Sequence, residues 1–228
     1  MIIELCGLPG CGKTTLANEL IRYINDNELL TDVFDRQKLL KRNNYFRRVI
    51  RRFNQRLYKF FLNGKNRKNL DLIYKTAMHD SLAESKYIFR LMEISRAINK
   101  NTNNNYVLDE GIIQYISSLS YKKSILDNEN TNTLLSTLLP HREDYYIIYC
   151  SLPVEQTIKH LKKRNRKQKH DRYNIEDTEL QQKLLDIKKQ NIEIILSQPF
   201  MKHKKYLCID MRDSIDSNIM KITNFIEI

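Results

Sequence analysis

The sequence predicts an α/β protein: a parallel β-sheet of about five strands flanked by helices. Three observations carry that prediction. Short apolar runs alternate along the chain with segments of helical periodicity, the element order of a layered parallel sheet. One of these runs, DYYIIYCSLP, is apolar nearly throughout, as expected of a strand buried on both faces. Polar residues gather just after the apolar runs, at the edge where such sheets bind ligands.

The chain opens MIIELCGLPGCGKTTLANEL. Ile2, Ile3 and Leu5 read as the first strand, and Leu16, Ala17, Leu20 and Ile21 recur at helical spacing. Gly7, Gly10 and Gly12, three of only five glycines in the chain, crowd into the turn between them. Glycine serves where the backbone takes positive φ or approaches another group closely. Gly7, Gly12, Lys13 and Thr14 also match G-x-x-x-x-G-K-[ST], a pattern whose backbone N–H groups hold phosphate oxygens at a helix N-terminus. Accident would produce those four fixed positions in roughly one chain in a hundred of this length.

A second short strand follows at TDVFD, ending on Asp35 and Arg36, and a mostly helical stretch is expected from about Tyr45 to Lys100. The Asn-rich piece from Asn99 to Asn105 reads as a loop. It leads into a third strand, Tyr106 to Leu108, which ends on Asp109, Glu110 and Gly111. DYYIIYCSLP is the fourth strand, and KYLCIDM, ending near Asp210, the fifth. Helical patterns lie between them, around Val154 to Lys163 and Asp177 to Leu196, and a last amphipathic segment runs from Ser214 to Phe225. With 228 residues and no internal repeat, one domain over residues 1–228 is expected.

Hydrophobic residues at 41% and charged residues at 29% describe a folded, soluble chain. No apolar run approaches the roughly 18 residues of a membrane span, and the start lacks the basic lead-in of a signal peptide, so a cytoplasmic location is expected. Cys6, Cys150 and Cys208 lie in or at the end of apolar runs and Cys11 lies in the glycine turn, with no C-x-x-C pair. The five histidines form no ligand pattern either, so no protein metal cage is expected.

A net charge of +12 implies an anionic partner. Much of the excess sits between Gln37 and Leu70, which holds no acidic residue. There Phe46, Val49, Ile50, Phe53, Leu57, Phe60 and Phe61 make the stripe of a basic amphipathic helix over residues 45–62. Three readings stay open: a solvated face, a wall that draws in an anionic acceptor or a nucleic-acid end, and a helix lying on an acidic membrane surface.

GLPGCGKTT, YVLDEG and YYIIYCSLPVEQTIKHLKKRNRKQKHDR together resemble the P-loop kinases of small molecules. That superfamily holds nucleoside and nucleotide kinases, thymidylate kinase, shikimate and gluconate kinases, and kinases of polynucleotide ends. The resemblance spans Met1 to about Asp210, although Arg36 to Lys100 matches only in being helical. It implies that Gly7, Gly10, Cys11, Gly12, Lys13, Thr14 and Thr15 bind ATP, with Lys13 on the β and γ oxygens. Thr14 and Asp109 would hold Mg²⁺. Residues 37–100 would be a helical insertion on the acceptor side, and residues 164–178 a lid whose Arg164, Arg166 and Arg172 close on the phosphates.

A carboxylate must still orient the acceptor; Asp35 is the first candidate and Glu110 the second. Arg36 would pair with an anionic acceptor. On the helix before the third strand, Arg90 and Arg96 are six residues apart, so only one can face the site, and Arg96 is expected there. The expected activity is Mg²⁺- and ATP-dependent phosphoryl transfer to a hydroxyl or phosphate of a small acceptor, such as a nucleoside or nucleotide. A polynucleotide 5′-hydroxyl kinase, an ATPase or nucleotide switch using Glu110, and a kinase of a membrane- or glycan-linked acceptor are the alternatives.

Overall fold

A computed structural model describes residues 1–41, 68, 72, 82–100, 104–119, 128–163, 175 and 177–228. Five strands, β1 (Ile2–Gly7), β2 (Val33–Asp35), β3 (Asn105–Leu108), β4 (Tyr145–Ser151) and β5 (Lys205–Asp210), form one sheet in the order β2-β3-β1-β4-β5. Every pairing is parallel, and the register sets Glu4 beside both Leu108 and Ile147, and Gly7 beside Cys150. The chain visits β2 and β3 on one side of β1, then crosses to β4 and β5 on the other. The carboxyl end of β1 therefore lies where the strand order reverses, the usual crevice for ligands in open parallel sheets.

Helices cover both faces because successive strand residues point to opposite sides. From β1, Ile3 and Leu5 pack with Leu16, Leu20 and Ile24 of α1 (Lys13–Asp26) and with Ile219, Ile222 and Ile226 of the C-terminal helix (Ile215–Ile226). Ile2 and Cys6 face the other way. They join Leu91, Ile94 and Ile98 of α3 (Leu82–Lys100), Ile112 to Ile116 of α4 (Ile112–Ile116) and Leu134, Leu135 and Leu138 of α5 (Asn128–Leu138). The short α2 (Arg36–Lys41) follows β2 directly. Between β4 and β5 lie α6 (Val154–Lys163) and α7 (Thr178–Ser197), and the C-terminal helix is α8. Leu8, just past β1, packs with Val154, Ile158 and Leu161 of α6 and Leu184 and Leu185 of α7, which sets these helices beside the glycine turn.

The five strands, their parallel pairing and the helices α1, α6, α7 and α8 follow the sequence reading; the strand order comes from the structure. The helices α4 and α5 have no counterpart in it. The expected basic helix at 45–62, most of the insertion at 37–100 and the arginines of the expected lid lie outside the described residues.

Candidate active site

The site is built from the carboxyl ends of β1, β2 and β3. After β1 the chain makes a tight turn in which Gly7, Gly10 and Gly12 all have positive φ. Gly12 is the N-cap of α1 at φ 101°, a left-handed conformation in which any side chain is strained, and a Cβ there would also press on Met211. The first α-helical bond runs from the Leu16 N–H to the Gly12 carbonyl at 3.0 Å. The N–H groups preceding it are those a helix leaves without an internal partner, and here they open onto the strand ends.

Lys13 is 7% exposed, and its ammonium arches back over the turn to donate to the carbonyls of Gly7 at 3.1 Å and Leu8 at 2.8 Å. Cys11 is buried, its Sγ 3.7 Å from the Lys13 Nζ. Thr15, next on α1, is exposed at the helix start. The Thr14 hydroxyl donates to Asp109 Oδ2 at 2.7 Å, tying the first turn of α1 to the residue that follows β3. A hydroxyl and a carboxylate side by side at the mouth of the glycine turn are the hard oxygen donors that Mg²⁺ prefers, so the residues present fit that ion.

Arg36, at the end of β2, joins the same cluster. Its Nε lies 3.1 Å from Asp109 Oδ1 and its Nη1 meets Glu110 Oε2. Tyr115 of α4 donates its hydroxyl to Glu110 Oε2 at 3.2 Å and accepts from Arg36 Nη1 at 3.4 Å. Burial pushes the Tyr115 hydroxyl above its usual range, against the lowering effect of the Arg36 and Arg90 charges. Arg36, expected to pair with an anionic acceptor, is held here by two carboxylates of the chain itself.

Asp35 is turned to a different task. Its Oδ1 accepts from the Lys38 N–H at 2.6 Å and so caps the start of α2. Arg96, expected to face the site, is exposed, whereas Arg90 is partly buried, pairs with Glu93 at 3.6 Å and acts electrostatically on Tyr115. Six residues turn a helix through about 240°, so when one of these arginines faces the site the other must face away. Arg164, Arg166 and Arg172 lie outside the described residues.

Four residues near the site escaped the sequence reading. Tyr115 and Gln114 belong to a helix too short to show a period. His160 of α6 approaches the turn, its Nδ1 3.3 Å from the Gly10 carbonyl. Glu4, fully buried on β1, accepts from the N–H groups of Ile112 at 3.0 Å and Gln114 at 3.1 Å and from the Tyr145 hydroxyl. Burial pushes its carboxyl up to about 7, with the bond from Tyr145 and those from the α4 backbone opposing the rise. Its signal was legible as one charge inside an apolar strand.

No protein-family profile and no curated protein matches the chain. Solved structures do match. Deoxyadenosine kinase from M. mycoides, with the products dCMP and a flexible dCDP bound, superposes with a TM-score of 0.54 at 16% identity, over 100% of this chain and 99% of that one. The same enzyme with bound dATP gives 0.54 at 17% identity, with 100% of each chain covered. At such identity the likeness establishes the fold alone, the one seen in that deoxyadenosine kinase.

Proposed function

We propose that this chain is a Mg²⁺- and ATP-dependent kinase that transfers the γ-phosphoryl group to a hydroxyl or phosphate of a small acceptor of the nucleoside or nucleotide class. The observation that carries this reading is the Thr14–Asp109 bond at 2.7 Å, set against a glycine turn that holds the buried Lys13 ammonium. The fold shared with deoxyadenosine kinase supports the acceptor class.

Phosphoryl transfer asks the protein mainly for positioning and charge neutralisation. The N–H groups of Gly10 to Thr14 receive the phosphate oxygens. Lys13 exchanges the carbonyls of Gly7 and Leu8 for the β and γ oxygens, a small swing because its ammonium already lies over the turn. Thr14 and Asp109 would hold Mg²⁺, which would supply charge neutralisation for the phosphate oxygens. Glu110, steadied by Arg36 and Tyr115, orients the acceptor hydroxyl. Asp35 is the weaker candidate for that role because its carboxylate is engaged by the α2 amide.

Glu110 directly after Asp109 also suits activation of water, so hydrolysis is the second reading. Label transfer from γ-labelled ATP separates the two. With nucleosides, nucleotides, sugars and short oligonucleotides as acceptors, label is expected on one acceptor class, and Lys13→Ala is expected to reduce transfer about 100-fold or more. Phosphate release that is indifferent to every acceptor would favour hydrolysis, and the absence of ATP binding would refute both.

A further inference from the structure

The sheet face that carries Ile2 and Cys6 is apolar, yet Glu4 between them points into the same layer with 0% exposure. Its two oxygens are divided with purpose. Oε2 takes the Ile112 N–H and the Tyr145 hydroxyl, and Oε1 takes the Gln114 N–H. All three partners donate, and the two amides can only donate, so the set matches an ionised carboxylate. Gly111 makes the approach achievable, because a Cβ there would overlap Glu4 Cδ.

A second tie runs the opposite way. The Gly7 N–H, at the head of the phosphate turn, donates to Gln114 Oε1 at 3.0 Å. The first turn of α4 is thereby fastened twice to β1, the strand from which the glycine turn springs. At the far end of α4 a buried ammonium, Lys188 at 2% exposure, donates to the Gln114 carbonyl at 3.0 Å and to the Ser117 and Ser118 hydroxyls at 2.6 Å each. Negative charge at the amide end and positive charge at the carbonyl end both suit the helix dipole. Asp109 and Glu110 hang from the front of this clamped helix.

We propose that Glu4 is a positioning residue for phosphoryl transfer: by fastening the start of α4 to β1, it fixes Asp109 and Glu110 relative to the phosphate turn. This rests on the kinase reading above. Glu4 touches neither the amides that take the phosphates nor Lys13, so its loss alters the placement of the carboxylates more than the grip on ATP.

The test is Glu4→Gln at pH 8, beside Tyr145→Phe, which removes one donor to Glu4 but leaves both α4 amides bonded. A glutamine at position 4 offers one acceptor oxygen, so whichever way it turns, one of the two amides faces an NH₂ group. Amide exchange at Ile112 and Gln114, measured without nucleotide, is expected to quicken in Glu4→Gln and to hold in Tyr145→Phe. With Mg-ATP and the acceptor found for the wild type, Glu4→Gln is expected to lose ~10- to 100-fold in kcat, the scale of a misplacement near 1 Å, with KM for ATP within about threefold. Tyr145→Phe should stay within about twofold of the wild type in kcat, because the carboxylates it leaves in place keep their geometry. Unchanged exchange or unchanged kcat in Glu4→Gln overturns the inference, as does an equal loss in Tyr145→Phe, which would mark general core damage. A wild type that binds no ATP overturns the kinase reading and this inference with it.

Discussion

Replacing Glu4 by Gln should also remove a pH dependence from the stability of the fold. In the unfolded chain this carboxyl titrates at its ordinary 4.5, and in the folded chain burial raises it to about 7. Between those values the folded state holds a proton that the unfolded state has released. The group's stabilisation is therefore complete below 4.5 and is lost as pH rises through 7. Linkage converts this into roughly 2–3 kcal/mol between pH 8 and pH 5. For a chain of this size that is a shift of about 5 to 10 °C in Tm. Tyr145 and Cys6, the titratable groups whose charge Glu4 most affects, are both pushed up by burial and then by the Glu4 charge, so neither ionises in this range. The assay is thermal unfolding of the wild type and Glu4→Gln from pH 5 to pH 8, read as the difference between the two proteins so that other titrations cancel. The wild type should gain on the variant as the medium is acidified. A constant difference across the range would refute the reasoning, because it would mean that the carboxylate is no harder to keep charged in the core than in water.

Three further outcomes follow from the site. Asp109→Asn should weaken nucleotide binding about tenfold when Mg²⁺ is present, a charge-assisted contact being worth roughly 1.5 kcal/mol or more, and leave it unchanged with chelator, as calorimetry would read directly. Glu110→Gln should lower kcat by about 100-fold while Asp35→Asn lowers it by less than tenfold, given the scale of acid–base contributions; the reverse order in steady-state kinetics would return the acceptor role to Asp35. Gly12→Ala should lose about 1–2 kcal/mol by denaturant unfolding, since φ 101° is strained for any L side chain.

How much of this was legible in the sequence depends on where the determining forces lie. The glycine turn was legible because its demand is local: positive φ is a property of one residue, and it selects glycine at positions 7, 10 and 12. β1 and β4 were legible for a related reason, since a central strand buried on both faces is apolar nearly throughout, with Glu4 the exception in β1. The five-residue α4 was not legible, because a helix that short is too brief to hold itself together. It exists through Glu4, Gln114 and Lys188, bonded across separations of 70 residues or more.

The same distinction bears on the acceptor side. Asp35 and Arg36 are neighbours in the chain, and sequence alone offers both to the substrate. Chain direction separates them: at the last residue of β2 the Asp35 side chain meets the opening amides of α2, while Arg36 reaches across the sheet end to Asp109 and Glu110. For Arg90 and Arg96, periodicity gave the angle between them but not the phase, which is fixed by how Leu91, Ile94 and Ile98 seat α3 on the sheet. A motif thus specifies the chemistry that its own backbone performs. Which of several polar neighbours faces the substrate is decided by packing, and here it is a carboxylate buried on the first strand that links the two.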